Sequence, residues 1–154
     1  MILQQSERLE QKSRAMLPAR PLSAVERVRL ASEIVVSYLQ VRRALRCAPI
    51  DSVTATLRSQ VGAAGSPGGP GGTLVEASRM GRAVVRTLSL VPGDTRCLVR
   101  SLVLTRLLAR RGMHAKLVIG ARAAPDFLAH AWVEYHGHPI LSPGDGSFGR
   151  LVEL

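Results

Sequence analysis

One cysteine and one histidine have the residue types and surroundings of a nucleophile and its base. Cys97 lies in the first turn of a predicted helix, beside Arg96 and Arg100. Unpaired backbone N–H groups and the helix dipole favour an anion there, and therefore the thiolate. His130 follows 33 residues later, between two alanines that leave its ring open to close approach. Each residue alone also fits a structural role, but a thiol and a base held on different elements suit nucleophilic catalysis.

Three acidic residues are candidates for the group that orients His130. Asp145 lies in a loop whose proline and glycines permit a bend. Glu134 shares a strand face with His130, but residues i and i+4 of a strand are about 13 Å apart. Asp94 better suits the cap of the Cys97 helix. We therefore expect Asp145 to fix the imidazole tautomer, with an ordinary turn aspartate as the alternative.

Predicted helices precede the predicted strands along the chain. Ser23 and Glu26 form a capping box that opens a helix to about Arg46. Its expected core face comprises Val25, Val28, Ala31, Val35, Tyr38 and Leu39. A short helix is predicted to about residue 61, and Thr73 is expected to cap another to about Leu90. The Cys97 helix is predicted over 95–111, with Asp94 or Thr95 as its N-cap and Gly112 as its stop.

After Gly112 the apolar period changes from that of a helix to two, which predicts strands. One strand is expected around 115–119, a second over 128–135, a third over 139–141 and a last one over 148–154. His136 and Gly137 form the predicted hairpin turn. Helices followed by an antiparallel sheet indicate an α+β fold.

Composition divides the chain into four stretches. Residues 1–20 are a polar arm, 21–61 a helical N-terminal portion and 73–154 the catalytic core. Between them, 62–72 is a run of glycine, proline and small residues that predicts a flexible loop.

Size and charge bound the class of protein. The 154 residues suffice for one domain, and 46% hydrophobic residues exclude general disorder. The formal charge of +10 favours acidic partners. Two cysteines make no disulfide scaffold, and we expect no signal peptide and no membrane span, hence a cytoplasmic protein.

Four segments together resemble the lasso-peptide leader peptidases, a group of transglutaminase-like proteins. They are Thr95–Leu104, Leu107–Gly112, Leu117–Gly120 and Ala129–Glu134 with Gly137. The resemblance is good over about 75–154 and loose over 20–60. It implies a papain-like or transglutaminase-like cysteine peptidase core, with Cys97 as nucleophile, His130 as acid and base, and no cofactor or metal.

The resemblance also implies partners and shows one departure. The substrate would be a ribosomally made precursor peptide, a separate small protein would hold the leader, and a cyclase would close the ring. The family carries an acid about 12 positions after the histidine, where this chain has Ser142. Asp145 is the nearest acid.

Three other functions stay open at this point. A transglutaminase-like acyltransferase would use the same thiol and histidine with an amine as acceptor. Because Ser142 stands where the family carries an acid, the protein could also be a non-catalytic scaffold for the cyclase. The charge also permits a nucleic-acid-binding module, although the basic residues are dispersed and aromatic residues for base stacking make up only 3%.

Overall fold

The computed structural model describes residues 23–47, 72–93, 96–123, 126–144 and 146–153. Within these ranges three helices come first, α1 (Ala24–Cys47), α2 (Leu74–Leu88) and α3 (Cys97–Ala109). Four strands follow, β1 (Lys116–Arg122), β2 (Leu128–Tyr135), β3 (His138–Pro139) and β4 (Gly149–Glu153). The predicted α+β class is confirmed. The polar arm, the short helix expected before residue 61 and all of the glycine-rich loop except Gly72 lie outside the described residues.

Helix α1 begins as its capping box predicts. The Ser23 N–H donates to Glu26 Oε2 at 2.7 Å, and the Glu26 N–H donates to Ser23 Oγ at 3.2 Å. Both hydrogen bonds lower the pKa of the Glu26 carboxyl, the one from the Ser23 backbone most. Local hydrogen bonding therefore sets the start of this helix.

The core face of α1 differs from the predicted one. Its buried residues are Ile34, Ser37, Tyr38 and Val41, at the spacing i, i+3, i+4, i+7. Val25, Val28 and Leu39 are instead exposed by 77%, 67% and 57%. Of the predicted face, only Tyr38 is fully buried. Ser37 explains the error, because a serine interrupts the apolar stripe that α1 turns toward α2 and α3.

Helix α2 is also capped as predicted, since the Glu76 N–H donates to Thr73 Oγ1 at 3.2 Å. It buries a single stripe of residues, Ala77, Met80, Gly81, Val84 and Leu88. The helix ends two residues before the expected Leu90. Leu90 is exposed, so the core gives no reason to extend the last turn.

Helix α3 is the centre of the molecule. Nine of its 13 residues are buried, and it contacts α1, α2, β1 and β2. Its N-cap is Arg96, which makes no side-chain capping hydrogen bond, so the predicted cap by Asp94 or Thr95 is wrong. The predicted stop is confirmed by Gly112, whose φ of +70° closes the helix end. Among the described helices, none is long and apolar enough to span a bilayer.

The strands form one antiparallel sheet in the order β3-β2-β1-β4. β2 has the predicted bounds, and the predicted turn after it is confirmed by φ values of 50° at His136 and 76° at Gly137. Positive φ at both central residues fits a type I′ turn. The third strand covers only His138–Pro139, because Ile140 and Leu141 both donate to the Val133 carbonyl and end the regular ladder.

Each face of the sheet has its own role. One face packs on the helices and carries Leu117, Ile119, Ala131, Val133 and Tyr135. The other face, called here the outer face, carries Val118, Gly120, His130, Trp132 and Glu134. The predicted alternation in β2 is therefore confirmed.

A buried hydrogen bond joins α3 to β2. Ser101 is 0% exposed, and its hydroxyl donates to the Ala131 carbonyl at 3.0 Å. Thr105 donates in turn to the Ser101 carbonyl at 2.9 Å. The helix is thus attached to the strand at the residue that follows His130.

Replacing Ser101 with alanine should lower the free energy of unfolding by about 1–3 kcal/mol, because a buried carbonyl loses its donor. Urea unfolding followed by circular dichroism measures the loss. Ser89→Ala is the matched control, since Ser89 makes a similar hydroxyl-to-carbonyl bond of 2.8 Å at an exposed position. Equal losses in the two variants would show that the Ser101 bond has no special weight.

Candidate active site

Cys97 is the first residue of α3. Its side chain is half-buried against the core, and its thiol is free. The helical ladder begins with the Arg100 N–H donating to the Arg96 carbonyl at 3.1 Å. The N–H groups of Cys97, Leu98 and Val99 therefore have no acceptor within the helix. The thiol lies beside backbone donors that favour negative charge.

His130 lies near the start of β2, on the outer face and opposite Gly120. Its ring is half-buried and contacts two aromatic rings. The centroid of Trp132 is 6.0 Å away at an interplanar angle of 20°, and that of Phe148 is 5.3 Å away at 36°. These distances are typical of aromatic pairs in contact. Aromatic residues are only 3% of the chain, yet two of them lie against this imidazole.

A hydrogen bond to the ring determines which of its two nitrogens carries the proton. His130 Nε2 lies 2.9 Å from the backbone carbonyl oxygen of Ser142. A carbonyl oxygen only accepts hydrogen bonds, so Nε2 must carry the proton. In the neutral ring this leaves Nδ1 as the basic nitrogen.

Ser142 also braces the loop that supplies this carbonyl. Its hydroxyl accepts from the Gly144 N–H at 3.2 Å. A Cβ at Gly144 would lie 2.8 Å from a ring carbon of Phe148 and 3.7 Å from His130 Cδ2. Glycine therefore lets the loop pass close to both rings, which keeps the Ser142 carbonyl at Nε2.

The three acidic candidates fare differently. Asp145 and Asp94 lie outside the described residues, so the role expected for Asp145 stays a prediction. Glu134 does not touch His130, as its distance along the strand predicts. Its Oε1 accepts from Trp132 Nε1 at 2.9 Å and from Arg150 at 2.7 Å. The resemblance places an acid at about position 142, where this chain has Ser142, and the acid expected from the sequence was Asp145 instead; the sequence could not show that a backbone oxygen contacts the ring there.

Arg150 links this carboxylate to the edge of the sheet. Arg150 also donates to Glu153 Oε1 at 2.7 Å, and Lys116 Nζ lies 3.3 Å from Glu153 Oε2. The Arg150 hydrogen bond, followed by the contacts with Lys116, lowers the pKa of Glu153. The Glu153 hydrogen bond and the charge of Glu134 raise the pKa of Arg150. Opposite charges thus alternate across β1, β2 and β4.

The elements that carry Cys97 and His130 pack on each other, but α3 packs on the helix face of β2 whereas the His130 side chain lies on the outer face, and in the described part the two side chains make no mutual hydrogen bond. Ser101 lies one helical turn after Cys97, about 6 Å along the axis, and bonds to the residue after His130. The imidazole hydrogen bond goes to Ser142 and not to the thiol. Hydrogen bonds between a catalytic group and its base are often long in the absence of substrate and tighten only when substrate is bound. Within the described ranges, no group of three His, Cys, Asp or Glu side chains is placed to hold a metal ion.

Changing Asp145 to asparagine should leave the Nε2–H tautomer of His130 in place, because the Ser142 carbonyl remains as acceptor. Long-range ¹H–¹⁵N NMR of histidine-labelled protein, at a pH where the ring is neutral, distinguishes the two tautomers. Asp126→Asn is the matched control, since it removes the same charge from an exposed position just before β2. A switch to the Nδ1–H tautomer in Asp145→Asn alone would assign the orienting role to Asp145.

Comparison with known proteins agrees with this fold. The family model of the transglutaminase-like superfamily matches residues 35–153, which is 119 of the 154 residues. The matched range includes Cys97, His130 and all four described strands. Neither a curated protein nor a solved structure matches the chain. The match over most of its length shows that the chain belongs to the transglutaminase-like superfamily.

Proposed function

We propose that the protein is a cysteine peptidase that removes the leader from a ribosomally made lasso precursor peptide. The observation that carries this proposal is the 2.9 Å hydrogen bond between His130 Nε2 and the Ser142 carbonyl oxygen, from which the Nε2–H tautomer follows. Because Nε2 donates to Ser142, Nδ1 is the nitrogen available to a thiol. A thiol at a helix N-terminus and an imidazole with a free basic nitrogen are the two groups that nucleophilic acyl chemistry needs.

The first half of the reaction forms a thioester. Nδ1 of His130 takes the thiol proton of Cys97, and the thiolate attacks the carbonyl carbon of the last leader residue. The carbon–nitrogen bond then breaks, and the imidazolium returns the proton to the departing amine. The core peptide leaves with a free amino terminus, while the leader stays attached to Sγ.

The second half uses water. His130 takes a proton from a water molecule, whose oxygen attacks the thioester carbonyl. The carbon–sulfur bond breaks, the leader leaves as a carboxylic acid, and the proton returns to the thiolate. In both halves the N–H groups at the start of α3 are the donors available to the developing oxyanion.

The choice of substrate rests on the sequence resemblance together with the superfamily. The segments around Cys97 and His130 resemble those of lasso leader peptidases. The charge supports an acidic partner as well. At the end of α1, an open cleft of about 530 Å³ is lined by Leu39, Arg42, Arg43, Arg46 and Cys47. Its three arginines suit an acidic peptide.

The same resemblance supplies the proposed partners. A separate leader-binding protein presents the precursor, and a lasso cyclase acts on the core peptide after cleavage. An acyltransferase would form the same thioester and pass it to an amine. Product mass separates these reactions, because hydrolysis releases the leader as a free acid.

Cys97→Ala and His130→Ala should each lower leader cleavage by about 10³-fold or more, because each removes a group that reacts directly. Mass spectrometry of the precursor and its fragments measures cleavage, and circular dichroism checks that each variant folds. Cys47→Ala is the control for kcat, since Cys47 is an exposed free thiol at the end of α1; because it lines the cleft there, its loss can change KM but not the chemical step. Substantial cleavage by either folded variant would refute the proposed site.

Cleavage of the full precursor should depend on the separate leader-binding protein. We expect that protein to lower KM far more than it changes kcat, because it presents the substrate and supplies no reacting group. Steady-state rates with and without it provide the measurement. Efficient processing by this chain alone, at low micromolar precursor, would contradict the expected dependence.

A further inference from the structure

The outer face of the sheet contains a buried carboxylate that the proposed reaction does not use. Glu134 is only 7% exposed. A buried carboxylate is costly unless charged or polar partners compensate it. Here one oxygen accepts from both the Trp132 indole and the Arg150 guanidinium. Arg150 lies on β4 and remains about half-exposed. The Glu134–Arg150 ion pair therefore spans β1 on the outer face.

The Trp132 indole, whose N–H donates to Glu134, lies where Gly120 leaves space for the ring. Trp132 is 3% exposed, although it lies on the face away from the helices. A Cβ at Gly120 would lie 2.9 Å from a ring carbon of Trp132 and 2.9 Å from the Gly149 carbonyl oxygen. No larger residue fits there without moving the ring or β4. Gly120 is also the residue opposite His130 in the ladder.

The indole in turn lies against the imidazole. Trp132 and His130 are two residues apart on one strand face, and their rings are nearly parallel, at 20°. Together with the Phe148 contact and the Ser142 hydrogen bond, this gives the imidazole three neighbours that restrict its rotation. The carboxylate fixes the indole N–H, and the indole restricts the ring that must present Nδ1.

We propose that Trp132 is a positioning residue for His130 and that Glu134 and Arg150 set the position of its indole. This inference rests on the proposed pairing of His130 with Cys97. Glu134 therefore affects the imidazole without touching it, through the one side chain that lies between them. The expected consequence is a change in the rate of the chemical step with little change in substrate binding, because no member of the set takes part in proton transfer.

The first experiment needs no substrate. In a Cys47→Ser background, the rate of Cys97 alkylation by iodoacetamide at neutral pH reports how well His130 supports the thiolate. His130→Ala sets the lower limit. We expect Trp132→Leu to approach that limit and Trp132→Phe to keep most of the rate, because phenylalanine retains an aromatic ring. Glu134→Gln should also keep most of it, since the amide oxygen can still accept from the indole N–H.

Two surface substitutions test the set without removing a buried side chain. Arg150→Met withdraws the cation from Glu134 and should slow alkylation severalfold. Arg111→Met is the control, because Arg111 pairs with Glu33 of α1 and makes no contact with the described residues of the outer face of the sheet. Val133→Ala, on the helix face of the same strand, controls for lost stability and should leave the alkylation rate unchanged.

Precursor cleavage and NMR give readouts that simple destabilisation would not produce. Trp132→Leu should lower kcat by about 10-fold to 10²-fold at similar KM, the size of effect expected for a misplaced catalytic group. Its His130 ring protons should also lose the shift caused by the neighbouring indole. The smaller change in Trp132→Phe serves as the conservative rescue.

The outcomes separate the two proposals. If His130→Ala leaves alkylation unchanged, the Cys97–His130 pairing fails, and the positioning inference fails with it. If His130→Ala slows alkylation but Trp132→Leu and Arg150→Met do not, the pairing stands and the positioning role is refuted. A rise in KM with unchanged kcat in Trp132→Leu would also refute it, since that result assigns the indole to substrate binding.

Discussion

The hydrogen bond from Ser101 to the Ala131 carbonyl is the contact on which the geometry of the site depends. α3 is the central helix, and its first residue is Cys97. The bond attaches that helix to β2 one residue after His130. Apolar packing alone permits a helix to slide on a sheet, whereas a buried donor and acceptor fix one register, since any slip leaves both without a partner. The placement of the thiol relative to the histidine strand therefore depends on a bond that makes no contact with substrate.

The sheet separates stability from chemistry by its two faces. Leucine, valine and alanine on one face complete the core with the three helices. The other face carries the imidazole, two aromatic rings and an ion pair whose carboxylate is buried. Because side chains alternate along a strand, Ala131, which follows His130, packs in the core, and Trp132, two positions after His130, packs against the imidazole. This division explains why a chain with few aromatic residues places Trp132 and Phe148 beside His130.

A backbone carbonyl and a carboxylate do different work at an imidazole. Either accepts from Nε2 and so selects the tautomer with a basic Nδ1. Only a carboxylate adds a negative charge that stabilises the imidazolium. Among the described residues, the buried carboxylate on the outer face is that of Glu134, and it pairs with Arg150 instead of His130. The residue whose carbonyl selects the tautomer, Ser142, therefore differs from the residue that carries the buried negative charge, Glu134.

The local features follow from the sequence pattern alone. The capping box of Ser23 and Glu26, the cap at Thr73, the stop at Gly112 and the bounds of β2 follow from neighbouring residues, so they were predictable. The match of the superfamily model to most of the chain supports the order of elements around Cys97 and His130. The fold, and not the sequence pattern, selects the stripe of α1 that is buried, because Ser37 occupies its core face. It also decided that the Ser142 carbonyl meets Nε2 and that Glu134 acts on Trp132. These contacts join residues through space or through backbone atoms, and a backbone carbonyl is the same in every residue type, so no pattern of side chains could reveal them.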